Sequence, residues 1–340
     1  MTHNSRVPAS CSMDIVIRGL GFNVPSRVLT NAELEIMVET SDEWILTRTG
    51  IRERHIIAEG EASSDLAIPA VEHALKEAGF TAKDVTHVVV ATFTPDFVCP
   101  NCATTLANKM GMNGVMAIDV NAACSGYLNA MQVGRGLVCL VENAVVLVVA
   151  VDALTSRTNW EDRTTCVLFG DGAGAAVLTR TTGADDEGLI LDMEFRCDGN
   201  VGDHLTVIGG GSRHPYRAGD VVGPEYFVQM NGREVFKHAV RNMDAICSKV
   251  LSNCGKTLDD VDIFIPHQAN LRIIEALGDR MGVPREKVFV NVDRYGNTSA
   301  ASVAIALAEA RQLGRIKRGD LALLTTFGGG LTWGAGLVQF

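Results

Sequence analysis

Short, almost unbroken apolar runs alternate along the chain with longer stretches in which apolar side chains return at helical spacing. Residues 87–91, 115–120, 144–151 and 321–327 are of the first kind, the first three rich in valine, and predict strands buried on both faces. Tyr127, Leu128, Met131, Val133 and Leu137 are of the second kind and predict a helix over 126–141; an alanine-rich helix is predicted over 298–312. Strands alternating with helices predict an α/β fold with largely parallel sheets covered on both faces.

The pattern occurs twice. Thr81-Ala-Lys-Asp-Val-Thr-His-Val-Val-Val-Ala is answered by Thr257-Leu-Asp-Asp-Val-Asp-Ile-Phe-Ile-Pro-His, and Ile118-Asp-Val-Asn-Ala-Ala-Cys124 by Val290-Asn-Val-Asp-Arg-Tyr-Gly-Asn297 with one extra residue. Each copy then enters its helix, a further apolar run, a glycine-rich turn and a last strand (172–179 and 332–340). A period this long exceeds the roughly 20–50 residues of solenoid repeats and indicates a duplicated fold. The polar run 181–188 marks the seam, giving halves at 13–185 and 186–340 behind a flexible extension at 1–12. The glycine-rich insert 209–219 reads as a mobile surface loop.

With 340 residues, 47% hydrophobic and 21% charged, the chain has ample core for such a fold. A net charge of −10 argues against nucleic-acid binding. No apolar stretch approaches the roughly 18 residues of a spanning helix, so no membrane insertion is expected. Nine scattered cysteines, an odd number, predict free thiols and a cytoplasmic protein.

Cys124 is the first candidate for chemistry. It stands where a predicted strand meets a predicted helix, near unpaired N–H groups and the positive helix end, which should lower its pKa. A cysteine is equally a small buried hydrophobe. What favours a nucleophile is the downstream pair Pro266-His267-Gln-Ala-Asn270 and Gly296-Asn297, since cysteine with remote histidine and asparagine is a recurring catalytic set. If both strand-end turns of a duplicated fold converge, Cys124 meets Asn297, and His267 arrives from an earlier strand. Read alone, His267 is a core histidine and Asn297 a left-handed turn residue. Cys99-Pro-Asn-Cys102 imitates a redox or zinc pair, but no second pair completes a metal site. Cys11, Cys139, Cys166, Cys197, Cys247 and Cys254 read as bystanders, most of them in the core. The run from Gly170 to Gly174 has the wrong spacing for a dinucleotide fingerprint and leads into a strand.

Six motifs in order carry a resemblance: Thr40 to His55, the Cys124 turn, Phe169-Gly-Asp-Gly-Ala-Gly-Ala-Ala176, Pro266 to Arg272, Gly296 to Ser302, and Phe327-Gly-Gly-Gly-Leu-Thr-Trp333-Gly. From about residue 13 onward the chain resembles the β-ketoacyl-acyl-carrier-protein synthase III family of thiolase-fold condensing enzymes. The resemblance implies an α/β, thiolase-like fold, two duplicated halves in a five-layered αβαβα arrangement, in a homodimer. It implies a decarboxylating Claisen condensation of an acyl-CoA primer with malonyl-acyl-carrier protein, starting type II fatty acid synthesis, with no cofactor. A same-fold acyltransferase of secondary metabolism is the alternative.

By the same resemblance Cys124 holds the acyl group, and the N–H groups of Cys124 and Gly329 form the oxyanion hole. His267 and Asn297 serve the malonyl half, while Trp44 and Arg163 sandwich the CoA adenine and Arg48 meets its phosphates. Arg233 and Lys237, on one helix face with Arg241, together with Gln268, Ala269, Asn270, Leu271 and Arg272, would dock the acidic carrier protein. Arg233 stands where the family often has asparagine. Cys99 stands where the family often has a phenylalanine that crosses the dimer to line the acyl pocket. Its smaller side chain implies room for longer or branched primers.

Overall fold

The structure, a computed structural model, describes residues 14–183 and 186–340. The extension expected at 1–12 lies outside the described residues, as do Cys11, Met13 and two residues of the expected seam.

Nine strands form the main sheet: β1 (Ile15–Asn23), β2 (His87–Ala91), β3 (Met116–Val120), β4 (Val146–Asp152), β5 (Gly172–Arg180), β6 (Leu189–Cys197), β7 (Ile263–Pro266), β8 (Leu321–Gly328) and β9 (Thr332–Gln339). Six helices cover it: α1 (Ser63–Ala78), α2 (Cys102–Lys109), α3 (Gly126–Leu140), α4 (Gly232–Asn253), α5 (Leu271–Met281) and α6 (Ala301–Gln312). The strand order is β7-β8-β9-β6-β1-β5-β4-β2-β3. In the first half, β3, β2 and β4 run parallel, while β5 and β1 are antiparallel to their neighbours. The second half repeats this order, with Val288 bridged in parallel to Phe264 on β7, then β8, β9 and β6. The halves meet edge to edge at the pair Val16 and Leu189, beside the Ile17 N–H bond to the Gly188 carbonyl (2.9 Å).

Largely parallel sheets were expected, yet each half is mixed. The reason is local: no α-helix intervenes between β4 and β5 or between β8 and β9, so the last strand of each half returns antiparallel. The second-copy strand expected near Val290 is also reduced. Only the Val288 bridge and the Phe289 N–H bond to the Phe264 carbonyl (2.9 Å) remain, and Val292–Tyr295 coils into a helical turn.

Buried side chains sort the elements into five layers. One core joins α1 and α2 to the outer face of the first half-sheet, and another joins α4 to the outer face of the second. Between the half-sheets lies a central layer of α3 and α6, whose core takes side chains from both. The wholly buried Leu128 and Met131 on α3 each contribute on the order of 1.5–3 kcal/mol of burial. The insert 209–219 lies on the surface without a helix or strand. Among the described residues no helix is long and apolar enough to cross a membrane.

β1 carries Gly19 and Gly21 beneath α1, where a Cβ would lie 2.2 Å from the Ala74 carbonyl oxygen and 2.1 Å from that of Ala70. Gly21→Ala should therefore destabilise the fold by about 1–3 kcal/mol through overpacking. Urea unfolding should show a lower midpoint at unchanged slope; an unchanged midpoint would mean that α1 is not seated on β1 this closely.

Candidate active site

Cys124 occupies a 3-10 turn (Ala123–Ser125) that feeds directly into α3. Ala123, at φ +46°, is held in the left-handed region, a strained setting for an alanine that turns the chain sharply between strand and helix. The Ser125 hydroxyl donates to the Thr332 carbonyl (3.0 Å), fixing the turn to the other half. The β8–β9 turn packs so closely beneath that a Cβ on Gly328 would lie 2.7 Å from the Cys124 nitrogen. Next to it Gly329 lines the same cavity as Cys124, and among the described residues its N–H has no hydrogen-bond acceptor.

His267 follows β7 directly. Its backbone N–H bonds the Thr325 carbonyl (2.8 Å), and its Nδ1 lies 2.5 Å from the Ser302 hydroxyl of α6. Asn297 is clamped by its N–H to the Leu168 carbonyl (2.8 Å) and by its carbonyl to the Gly170 N–H (3.1 Å). Its side-chain oxygen accepts from the Ser299 N–H (2.9 Å), which leaves the amide Nδ2 hydrogens for the cavity. The left-handed residues of this turn are Gly296 (φ +65°) and Ser299 (φ +52°), so Asn297 is not there to relieve backbone strain.

These three side chains, exposed by 9% (Cys124), 3% (His267) and 7% (Asn297), converge on one cavity of about 490 Å³ with largely apolar walls. Burial governs their protonation. The His267 imidazole is pushed down to about 4 by desolvation, so it is neutral at physiological pH. The thiol of Cys124 was expected to be acidified by its helix terminus; instead burial pushes it up to about 12. The Ser299 hydroxyl and the residue's own N–H oppose that rise, and the Asp152 carboxylate adds to it. Asp152 is itself wholly buried, with its pKa raised by burial. It accepts from the Phe93 N–H, the hydroxyls of Thr92 and Thr94, and the Ala300 N–H of the other half. Ser299 favours ionisation of both Cys124 and Asp152, yet its hydroxyl is aligned on neither within ordinary hydrogen-bond geometry.

Several supporting residues escaped the sequence reading. Asp152 is the charged end of an otherwise apolar strand, the one signal that marked it. Ser299 and Ser302 lay unremarked inside the Gly296 motif. Arg54 is wholly buried; its guanidinium donates to the Asn31 side chain (2.8 Å) and to the Leu29 and Val167 carbonyls (3.2 and 2.8 Å). A Cβ on Gly296 would lie 3.2 Å from the Arg54 Cβ, so this arginine backs the Asn297 turn.

Outside the cavity the expectations divide. Trp44, Arg48 and Arg163 come together on the surface, with the two guanidinium carbons 5.9 and 5.5 Å from the indole ring centre. Arg163 already covers Trp44 and bonds the Glu39 carbonyl (3.1 Å), so a base entering between them must displace it. Arg233, Lys237, Arg241 and Arg272 are exposed. Gln268 is not available for docking: it is 1% exposed and bonds the Pro266 and Phe289 carbonyls and the Asn291 and Val292 N–H groups. It is a buried clasp between β7 and the turn before Asn297. Asn270 caps α5 through the Ile273 N–H (3.0 Å) and, with Ala269, lines the cavity, while Leu271 packs against Gly50. Cys99 is exposed and does not line the cavity of its own chain. Cys102 is a buried thiol on the Asp96 carboxylate (3.3 Å), pushed far upward by burial, and is no redox partner. Among the described bystanders only Cys166 and Cys247 are fully buried; Cys197 is exposed.

A buried thiol facing neutral hydrogen-bonding side chains is suited to acyl transfer, and in this five-layered fold it defines a thiolase-fold condensing acyltransferase. Models of the family described as 3-oxoacyl-[acyl-carrier-protein (ACP)] synthase III and of its C-terminal part match residues 118–199 and 251–340. The β-ketoacyl-[acyl-carrier-protein] synthase III of Nitratidesulfovibrio vulgaris (strain DP4) is 57% identical over 326 residues, covering 96% of this chain and 98% of that protein. The enzyme of that name from Roseiflexus castenholzii is 50% identical, covering 95% and 97%. The crystal structure of 3-oxoacyl-[acyl-carrier-protein] synthase III from Aquifex aeolicus superposes with a TM-score of 0.87 at 43% identity, covering 96% and 100%. The chain belongs to the β-ketoacyl-[acyl-carrier-protein] synthase III family and carries out its initiating condensation of fatty acid synthesis. A priming ketosynthase of the R1128 polyketide pathway shares the fold (TM-score 0.87, covering 99% and 98%) at only 33% identity, so the secondary-metabolism alternative is not favoured.

The depressed pKa of His267 links stability to pH. Folding releases the proton that the unfolded imidazole holds, so stability rises with pH between about 4 and 6.5 and is lost on acidification through that window. The unfolding free energy, followed by urea denaturation at stepped pH, should lose up to about 1.4 kcal/mol per unit from this residue. The slope should be smaller in His267→Asn; an identical slope would show that the imidazole is not buried in its neutral form.

Proposed function

We propose that Cys124 carries the primer and that His267 and Asn297 serve the malonyl half-reaction. The observation that supports this most strongly is the convergence of the three side chains on one apolar cavity, with the Asn297 amide hydrogens turned free by the Ser299 N–H. The Cys124 sulfur attacks the thioester carbonyl of an acyl-CoA, its proton leaves, and coenzyme A departs as the thiol. The tetrahedral oxyanion accepts from the N–H groups of Cys124 and Gly329; one such donor contributes about 3–4 kcal/mol to the transition state. Malonyl-carrier protein then loses carbon dioxide, and the electrons of the broken bond pass into an enolate. Its oxygen accepts from His267 Nε2 and Asn297 Nδ2; the neutral imidazole can donate there with its Nδ1 facing the Ser302 hydroxyl. The enolate carbon attacks the Cys124 thioester, the carbon–sulfur bond breaks, and 3-oxoacyl-carrier protein leaves as the thiol regains a proton.

No cofactor enters this sequence. Trp44, Arg48 and Arg163 hold the CoA nucleotide end, with Arg163 swinging off the indole. Carrier protein docks on the exposed cations Arg233, Lys237, Arg241 and Arg272, supported by their position around α4 and α5 beside the cavity. The protein acts as a cytoplasmic homodimer. Phe97 and Val98, 56% and 104% exposed beside Cys99, are apolar surface of the kind a second copy covers, and bring Cys99 to the partner's acyl pocket.

Incubation with a panel of acyl-CoAs should add one acyl group to the protein by intact mass, and none to Cys124→Ala. An adduct persisting on that variant would remove the nucleophile assignment. Lys237→Glu with Arg272→Glu should raise KM for malonyl-carrier protein by about tenfold or more while leaving that for acyl-CoA within a factor of about two. Equal losses on both substrates would eliminate the docking surface.

A further inference from the structure

We propose that His204, Glu234 and His238 form a site for a divalent transition-metal cation, with zinc the best match to its donors. One ligand atom from each residue lies within 4.8 Å of the other two. Glu234 and His238 stand one turn apart on α4 and so share a face. His204 reaches them from the turn Gly199–His204, and the two imidazole centres are 6.1 Å apart. Two imidazoles and one carboxylate with an open side form a three-ligand zinc set completed by water, at metal–ligand distances of about 2.0–2.2 Å. The backbones that carry the three residues are already tied together. The Asn231 N–H bonds the His204 carbonyl (2.8 Å), the Asn231 side chain caps α4 at Glu234, and Leu205–Thr206 pairs with Gln229–Met230.

Two surface contacts compete and are weak. Lys237 Nζ lies 3.5 Å from the Glu234 carboxylate, and Arg241 Nη2 donates to His238 Nδ1 at 3.3 Å. Both side chains are exposed and free to turn away. The condensation itself has no use for the three residues. Their chain neighbours Leu205 and Val235 line the cavity, so a bound cation would brace one wall of its mouth. It would also neutralise Glu234 in the midst of the exposed cations of α4.

The test uses the full chain, stripped with a chelator and titrated with Co²⁺ as a visible probe, then with Zn²⁺. The expected result is one Co²⁺ per chain with the absorption of a tetrahedral nitrogen–oxygen site, displaced by Zn²⁺. The signal should be lost in His204→Ala and His238→Ala and weakened in Glu234→Gln, with apo melting temperatures unchanged. Should a variant not fold, diethylpyrocarbonate labelling of the wild-type chain tests the same site, since Zn²⁺ should protect His204 and His238. Absence of the cobalt spectrum, its retention in the double histidine variant, or labelling rates indifferent to Zn²⁺ would each overturn the proposal.

Discussion

Contact between the N-terminal ends of α3 and α6, through side chains no larger than a methyl group, sets how closely Cys124 and Asn297 approach. A Cβ on Gly126 would lie 3.0 Å from that of Ala91 and 3.1 Å from that of Ala300. On its sheet-facing side α6 packs as closely, since a Cβ on Gly174 of β5 would meet the Ala304 Cβ at 2.4 Å. Interiors pack too densely to absorb an extra methylene at such places without moving a backbone. Cys124 stands two residues before the first of these contacts and Asn297 three residues before Ala300. The close approach of the central helices is therefore also the approach of nucleophile and amide. Gly328, packed onto the Cys124 nitrogen, brings the neighbouring Gly329 N–H into the same arrangement.

The same burial explains why the site works with neutral groups. Desolvation holds the thiol protonated and the imidazole unprotonated, so Cys124, His267 and Asn297 face the resting cavity without charge. In the proposed roles, charge arises only during reaction, as oxyanion or enolate, facing donors already held in place. Such preorganised donors in an apolar enclosure are worth more than they would be in water. Asp152 lies beneath, and its bonds to Phe93 and Ala300 tie the two halves together under Cys124.

Local pattern revealed the parts that depend on backbone topology. The strand-to-helix junction at Cys124, the repeated order of elements and the turn at Gly296-Asn297 all follow from hydrophobic period and glycine placement. What depends on long-range packing was not legible. Gln268 reads as a polar residue beside a catalytic histidine, and only the folded chain shows it clasping four backbone groups in the core. The helix terminus at Cys124 was visible, but the desolvation that outweighs it comes from burial in the folded chain. Trp44 and Arg163 are far apart in sequence and meet through the fold, already stacked rather than open for a base. The antiparallel return of β5 and β9 turned on missing helices, which alternation alone does not reveal.

The central claim is that one cavity divides its labour, Cys124 for the primer and His267 with Asn297 for the enolate. Its most direct measurement is of the two half-reactions in His267→Ala: acyl transfer to Cys124 by intact mass, and carbon dioxide release from malonyl-carrier protein. The account predicts that acylation persists while decarboxylation falls by about a hundredfold or more, as loss of an enolate donor requires. Equal loss of both half-reactions would contradict it and make His267 part of the thiol's own activation.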